Sequence, residues 1–111
     1  MADLAAHLQV LTTLDDRDAA VALAQGLVAA RLAACAQVTG PVTSVYRWKG
    51  DVEQATEWYC VIKTTGARYE ALAAWIARHH PYDTPELIAT PIVAGAPDYL
   101  AWISAETSPP S

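Results

Sequence analysis

Two adjacent imidazoles, a phenol and two carboxylates crowd the stretch His79-His80-Pro81-Tyr82-Asp83-Thr84-Pro85-Glu86, where two prolines interrupt the chain. Imidazole nitrogens and carboxylates are ligands for divalent metal ions, and the same groups build polar pockets for small molecules. A residue preceding proline is pushed out of the helical region, so His80 is expected to leave the helix to which His79 still belongs. The two rings then need not diverge as they do inside a regular helix. Two readings stay open at this level. One is a polar pocket or metal-ligand cluster; the other is a helix stop followed by a loop that re-enters a strand.

The remaining reactive side chains are sparser. Lys63 closes the apolar run Cys60-Val61-Ile62-Lys63. It reads either as a solvated strand end or as a cation that holds a ligand carboxylate or phosphate, or pairs with Glu86. Cys35 and Cys60 fit small buried hydrophobes. Tyr46, Trp48, Trp58 and Tyr59 fit packing and subunit contacts, where aromatics are enriched. Arg47 and Lys49 flank Trp48, but Asp51 and Glu53 are expected to face them across a turn, so no nucleic-acid platform follows. Catalysis finds little footing. Ser44, Ser104, Ser108 and Ser111 lack a nucleophile elbow, no histidine spacing suggests a zinc protease, and the five glycines are dispersed rather than gathered in a phosphate loop. An acylphosphatase-type site needs an asparagine, and the chain has none. The chain is read as not an enzyme.

Periodicity supplies the elements that must position these groups. Residues 7 to 14 form a short apolar, β-branched run closed by Asp15-Asp16, where an aspartate can cap a helix and Asp18 adds charge to its first turn. Ala20, Leu23, Ala24, Leu27 and Val28 then recur at helical spacing, in a stripe expected to end near Leu32. From Ala34 to about Thr65 the pattern is strand-like in two arms, broken at Gly40-Pro41 and turned at Trp48-Lys49-Gly50-Asp51. Cross-strand partners around that turn sum to 99. Cys60 is then expected opposite Thr39 and Cys35 near Thr64, roughly 13 Å from one another, too far for a disulfide even if a bulge at Gly40-Pro41 moves the count by about one or two residues.

Tyr69, Leu72, Ala73 and Ile76 mark a second helix over 68 to 79, which Pro81 stops. Leu87 to Val93 reads as a fourth strand, with Pro91 at an edge or a bulge. Pro97 suits the first turn of a last helix that carries Tyr99, Leu100, Trp102 and Ile103. The order β-α-β-β-α-β plus a terminal helix is the split-βαβ, ferredoxin-like pattern of the α+β class. The chain is read as one domain, 1–111, with 1–6 and 106–111 frayed.

Composition bears on assembly and partners. With 111 residues the chain can bury about two-thirds of its unfolded surface, and it needs no cofactor to fold. A hydrophobic share of 53% is high for so small a domain, which places some apolar surface in a subunit interface. The hairpin agrees. Arms of about 13 to 15 residues exceed the usual 3 to 10, and a bare two-stranded ribbon is marginal in water. A net charge of −5 and a pI near 4.9, with scattered Lys and Arg, exclude a nucleic-acid footprint. No apolar run of signal or membrane-spanning length occurs, so neither membrane partner nor leader is expected, and the chain reads as cytoplasmic with reduced cysteines.

The strings Ala33-Ala34-Cys35, Ser44-Val45-Tyr46-Arg47-Trp48-Lys49-Gly50, Ile62-Lys63-Thr64, His79 through Glu86 and Asp98-Tyr99-Leu100-Ala101-Trp102 together resemble the CutA, or divalent-cation tolerance, family. The likeness runs in order from about Val10 to Ile103. It implies a ferredoxin-like protomer in a tight homotrimer, cytoplasmic in bacteria, associated with tolerance of copper and other divalent metals. His79 and His80 match proposed copper ligands of some bacterial members, with Glu86, Asp83 or water to complete the shell. A third proposed ligand, a first-strand cysteine, aligns with Thr12, whose hydroxyl is a poor copper ligand beside a thiolate. The resemblance extends to the trimeric PII signalling proteins, with ligand clefts between subunits. Cys35, Lys63, Tyr82, Glu86 and Trp102 are the positions to line such a cleft. The alternative it implies is small-molecule sensing or a scaffold without physiological metal.

Overall fold

The computed structural model describes residues 4–109. The fraying expected of 1–6 and 106–111 falls in part on residues 1–3 and 110–111, which lie outside the described residues. The elements are β1 (His7–Leu14), α1 (Arg17–Ala29), β2 (Cys35–Trp48), β3 (Asp51–Thr65), a 3₁₀ turn (Gly66–Arg68), α2 (Tyr69–His79), β4 (Ile88–Pro91) and α3 (Pro97–Glu106). They form a mixed α/β fold with one antiparallel four-stranded sheet, in the order β2-β3-β1-β4. Among the described residues, no helix is long and apolar enough to cross a membrane.

Local chemistry sets the boundaries. Asp16 holds extended backbone, and its carboxylate accepts the Ala19 N–H at 2.8 Å, capping α1. The helix ends at Ala29, short of Leu32, because Arg31 takes a left-handed φ of 59° and turns the chain back. Leu32 and Ala33 then donate their N–H groups to the Leu27 carbonyl. Leu32 thus stays buried in line with the helical stripe without belonging to the helix. At the other end of the fold, α2 stops where proline requires it: His80 is extended, at φ −79° and ψ 137°.

The long hairpin forms as the pattern demands, with a turn at Lys49 (φ 50°) and Gly50 (φ 88°). From Trp48↔Asp51 to Val42↔Glu57 its partners sum to 99. A bulge between Thr39 and Val42 then moves the register by one, so Cys60 faces Val38 rather than Thr39, and Cys35 faces Lys63 rather than Thr64. Gly40, at φ 154°, makes this possible: a Cβ there would lie 2.7 Å from Cδ1 of Trp58. Both cysteines are free thiols. Near the turn, Asp51 and Glu53 pair with Trp48 and Tyr46, whereas Arg47 lies opposite Val52.

Alternation along β3 divides its chemistry between two faces. Cys60, Ile62 and Thr64 point toward α1 and α2, where they join Leu8, Val10 and Leu14 of β1, Leu23 and Leu27 of α1, and Leu72 and Ile76 of α2 in the core. Glu57, Tyr59, Val61 and Lys63 therefore point to the opposite face. There α3 lies across the start of β1 and β2: His7 Nε2 is 2.9 Å from Ser104 Oγ, and Cys35 Sγ is 3.5 Å from the Tyr99 hydroxyl. Arg31 ties α3 to the end of α1, donating through Nε to the Ser108 carbonyl and through Nη2 to the Ala105 carbonyl, both at 2.9 Å.

Candidate functional site

The two histidines, adjacent in sequence, serve different neighbours. His79 remains on α2 and is exposed; its ring stacks on Trp75 at 3.9 Å between centroids, and Nδ1 donates to the Trp75 carbonyl at 2.7 Å. Gly26 leaves room for that arrangement, since a Cβ there would meet the Trp75 ring at 2.6 Å. His80 is buried and turned to the end of β1. Its Nε2 lies 2.9 Å from the Thr13 carbonyl oxygen, and its Nδ1 lies 3.1 Å from the Tyr82 backbone nitrogen. A carbonyl only accepts, so Nε2 carries the proton and Nδ1 accepts from Tyr82. Both nitrogens of His80 are thereby engaged, whereas Nε2 of His79 has no hydrogen-bond partner among the described residues.

The donors around them do not assemble a preformed metal shell within one protomer. Among the described residues, no group of three or more His, Cys, Asp or Glu side chains is placed to hold a metal ion. Thr12, which stands where a thiolate would be sought, is fully buried on the core face opposite Cys60, and its hydroxyl has no hydrogen-bond partner. Burial pushes the Cys60 thiol up to about 11, so it stays protonated and is a poor ligand at neutral pH.

Tyr82 and Glu86 belong with a residue that the sequence reading passed over, Glu57. Its side chain points away from the core and is only 8% exposed. The Tyr82 hydroxyl donates to Glu57 Oε2 at 2.7 Å. Burial, and then the Glu57 hydrogen bond and charge, hold the Tyr82 phenol well above its ordinary value. The Glu86 carboxyl is raised too, first by burial and then by the charge of Glu57. The Tyr82 phenol and the Glu57 carboxylate thus meet just beyond the end of β1, and the Glu86 carboxyl is near enough to feel the Glu57 charge. The one signal in sequence was a carboxylate placed beside the aromatic pair Trp58-Tyr59.

Cys35, Lys63 and Trp102 sit elsewhere on the same face. Cys35 and Lys63 are cross-strand partners, Tyr99 links Cys35 to α3, and the Trp102 ring lies 5.5 Å from that of Tyr99. Lys63 does not reach Glu86; its Nζ donates to Oε1 of Gln37 at 3.0 Å. The five expected cleft residues therefore form two groups. Lys63 lies six residue steps along β3 from Glu57, which is about 20 Å at ~3.3 Å per residue. Two open grooves, of about 590 and 390 Å³, lie instead on the helical side, and His79 borders the smaller one.

The buried imidazole makes stability depend on pH. Burial lowers the His80 pKa, against the opposing pull of the Thr13 carbonyl, Asp15 and Glu57. The folded chain thus favours the neutral ring, while the unfolded chain takes up protons from its ordinary value of about 6.5. The stabilisation is complete above that value and is lost as pH falls below it. Urea unfolding at pH 7.5 and 5.5 should show a larger loss on acidification for the parent than for His80→Gln. Equal losses would mean that His80 contributes nothing to the pH dependence.

Sequence and fold are both similar to those of known proteins along most of the chain. The family model described as CutA1 divalent ion tolerance protein matches residues 8–106. The divalent-cation tolerance protein CutA of Escherichia coli is 42% identical over 100 residues, which cover 90% of this chain and 89% of that protein. The divalent cation tolerance protein of Thermus thermophilus, a solved structure, gives a TM-score of 0.90 at 36% identity, covering 92% of this chain and 99% of that one. The protein described as the periplasmic divalent cation tolerance protein CutA of Archaeoglobus fulgidus gives 0.89 at 29% identity, covering 92% and 99%. These names describe tolerance proteins rather than enzymes. Matched along nearly all of its length, the chain belongs to the CutA1 divalent ion tolerance family.

Proposed function

We propose that this chain acts as a cytoplasmic homotrimer of ferredoxin-like protomers that takes part in tolerance of divalent cations without catalysing a reaction. The observation that carries the assembly is the ribbon beyond the bulge, where β2 and β3 pair only with each other. It leaves Val45 and Val52 66% and 68% exposed, with Tyr46 and Trp48 near half. A two-stranded ribbon with so much apolar surface is marginal alone and gains its cover from other copies. Light scattering at micromolar concentration should return three 11.9 kDa chains, and a Val52→Asp, Trp48→Asp variant should dissociate. A well-folded solitary chain in the parent would sink this reading.

Metal enters through His79 and His80 in this proposal, with copper or another divalent cation as cargo. The free Nε2 of His79 is the first anchor. Recruitment of His80 requires Nδ1 to give up the Tyr82 N–H, or Nε2 the Thr13 carbonyl, which favours weak and reversible capture over a tight site. A competition titration of tag-free protein with Cu(II) tests the ligands. Replacement of both histidines by alanine should weaken binding at least tenfold; an unchanged Kd removes them.

A second reading is supported by the division of Cys35, Lys63 and Trp102 from Tyr82 and Glu86. Each group is incomplete in one protomer, as expected of a small-molecule cleft shared between subunits in the PII-like manner. Melting temperatures across a panel of metabolites would reveal a ligand, and Lys63→Ala should abolish its shift. An undiminished shift in that variant would exclude the named cleft.

A further inference from the structure

The sheet face opposite α1 and α2 carries two charges that lack counter-charges. Glu57 is nine-tenths buried, yet its hydrogen-bond partner is a neutral phenol, and the neighbouring carboxyl is Glu86. Lys63 is half-buried, and its partner is the neutral amide of Gln37. Among the described residues, the ion pair that forms is Arg31 with Glu106, at the far side of α3. A carboxylate removed from water without a cation is costly, and its charge also disfavours ionisation of Glu86. The two orphaned charges sit on the same face of one strand. Their separation of about 20 Å along β3 exceeds the reach of a lysine side chain, so one protomer cannot join them.

The two cations of the ribbon fit less well. Arg47 belongs to the alternate face of the ribbon, opposite Val52, and Lys49 sits at the exposed turn above Trp48, 5.9 Å from the ring centroid. Lys63 already has part of its desolvation in place and a side-chain partner that it can keep, because an ammonium has three donors.

We infer that Lys63 of one copy docks between the Glu57 and Glu86 carboxylates of a second copy, making an ion pair that closes the interface between them. The inference rests on the homotrimer proposed above and specifies which surfaces that trimer brings together. Tyr82 is then a positioning residue: its hydroxyl fixes one Glu57 oxygen and leaves the other for the ammonium.

A double-mutant cycle on the full chain tests it. Glu57→Gln retains an oxygen to accept from Tyr82, and Lys63→Met retains the stem, so neither change should unfold the protomer. Each should raise the concentration at which the assembly dissociates by tenfold or more, and the double variant should be no weaker than the worse single one. Zero-length carbodiimide coupling of the parent should also join Lys63 to a Glu57 or Glu86 peptide, and only between chains. Multiplying effects, with a parent that stays trimeric and yields no such peptide, would overturn the ion pair and leave the trimer standing. A monomeric parent would remove both readings.

Discussion

The structure is governed by a mismatch in strand length. β3 has 15 residues, while β1 beside it has only 8 and covers β3 from Trp58 to Thr65. Beyond Trp58 the hydrogen-bonding edge of β3 would face open space. The loop after α2 fills the nearest part of that gap: His80 bonds the last turn of β1 through the Thr13 carbonyl, and Tyr82 bonds Glu57 just past the final pair. The proline that ends α2 is what lets the chain cross over the edge in so few residues. Farther out, among the described residues, no further strand pairs with the ribbon. One mismatch thus accounts for the buried imidazole, the buried carboxylate and the exposed apolar arms.

Much of this was legible as periodicity. The strand-like pattern from Ala34 to about Thr65 foretold two arms and a two-residue turn, and the cap at Asp16 and the first-turn proline at Pro97 lie where short-range chemistry places them. The register could be read only on the outer side of Gly40, because a bulge adds a residue whose position depends on how Trp58 packs over the glycine. Helix α1 showed the opposite failure. Its apolar stripe continued through Leu32, but burial does not require helix, and Arg31 turned the backbone after Ala29. Pattern reports which side chains are inside; it is less informative on the backbone that carries them there.

The candidate site was legible in part, for a different reason. Composition drew attention to His79 and His80, and the helix stop between them was read correctly. Where each ring would go was set by Trp75, Gly26 and the Thr13 carbonyl, which are four or more residues away in sequence. Glu57 was missed because, in an alternating strand, a glutamate on the outward face is ordinarily solvated. It became significant only when the loop carrying Tyr82 folded over it. A long-range contact of that kind leaves no mark on the local pattern.

These placements bear on how a tolerance protein of this family can meet a divalent cation. A resident site would gather several unprotonated donors and hold them open, as metal affinity requires. Here one imidazole is satisfied by backbone on both nitrogens, one thiol is kept protonated by burial, and the hydroxyl at Thr12 is sealed in the core. Of the carboxylates, Glu57 is nine-tenths buried, and Glu86 is disfavoured as an anion first by burial and then by the Glu57 charge. Such a pair favours any cation that arrives with the right reach. In the proposed trimer, an ammonium fixed on a neighbouring copy would have an advantage over a free ion, since its effective concentration would be set by the assembly rather than by the solution.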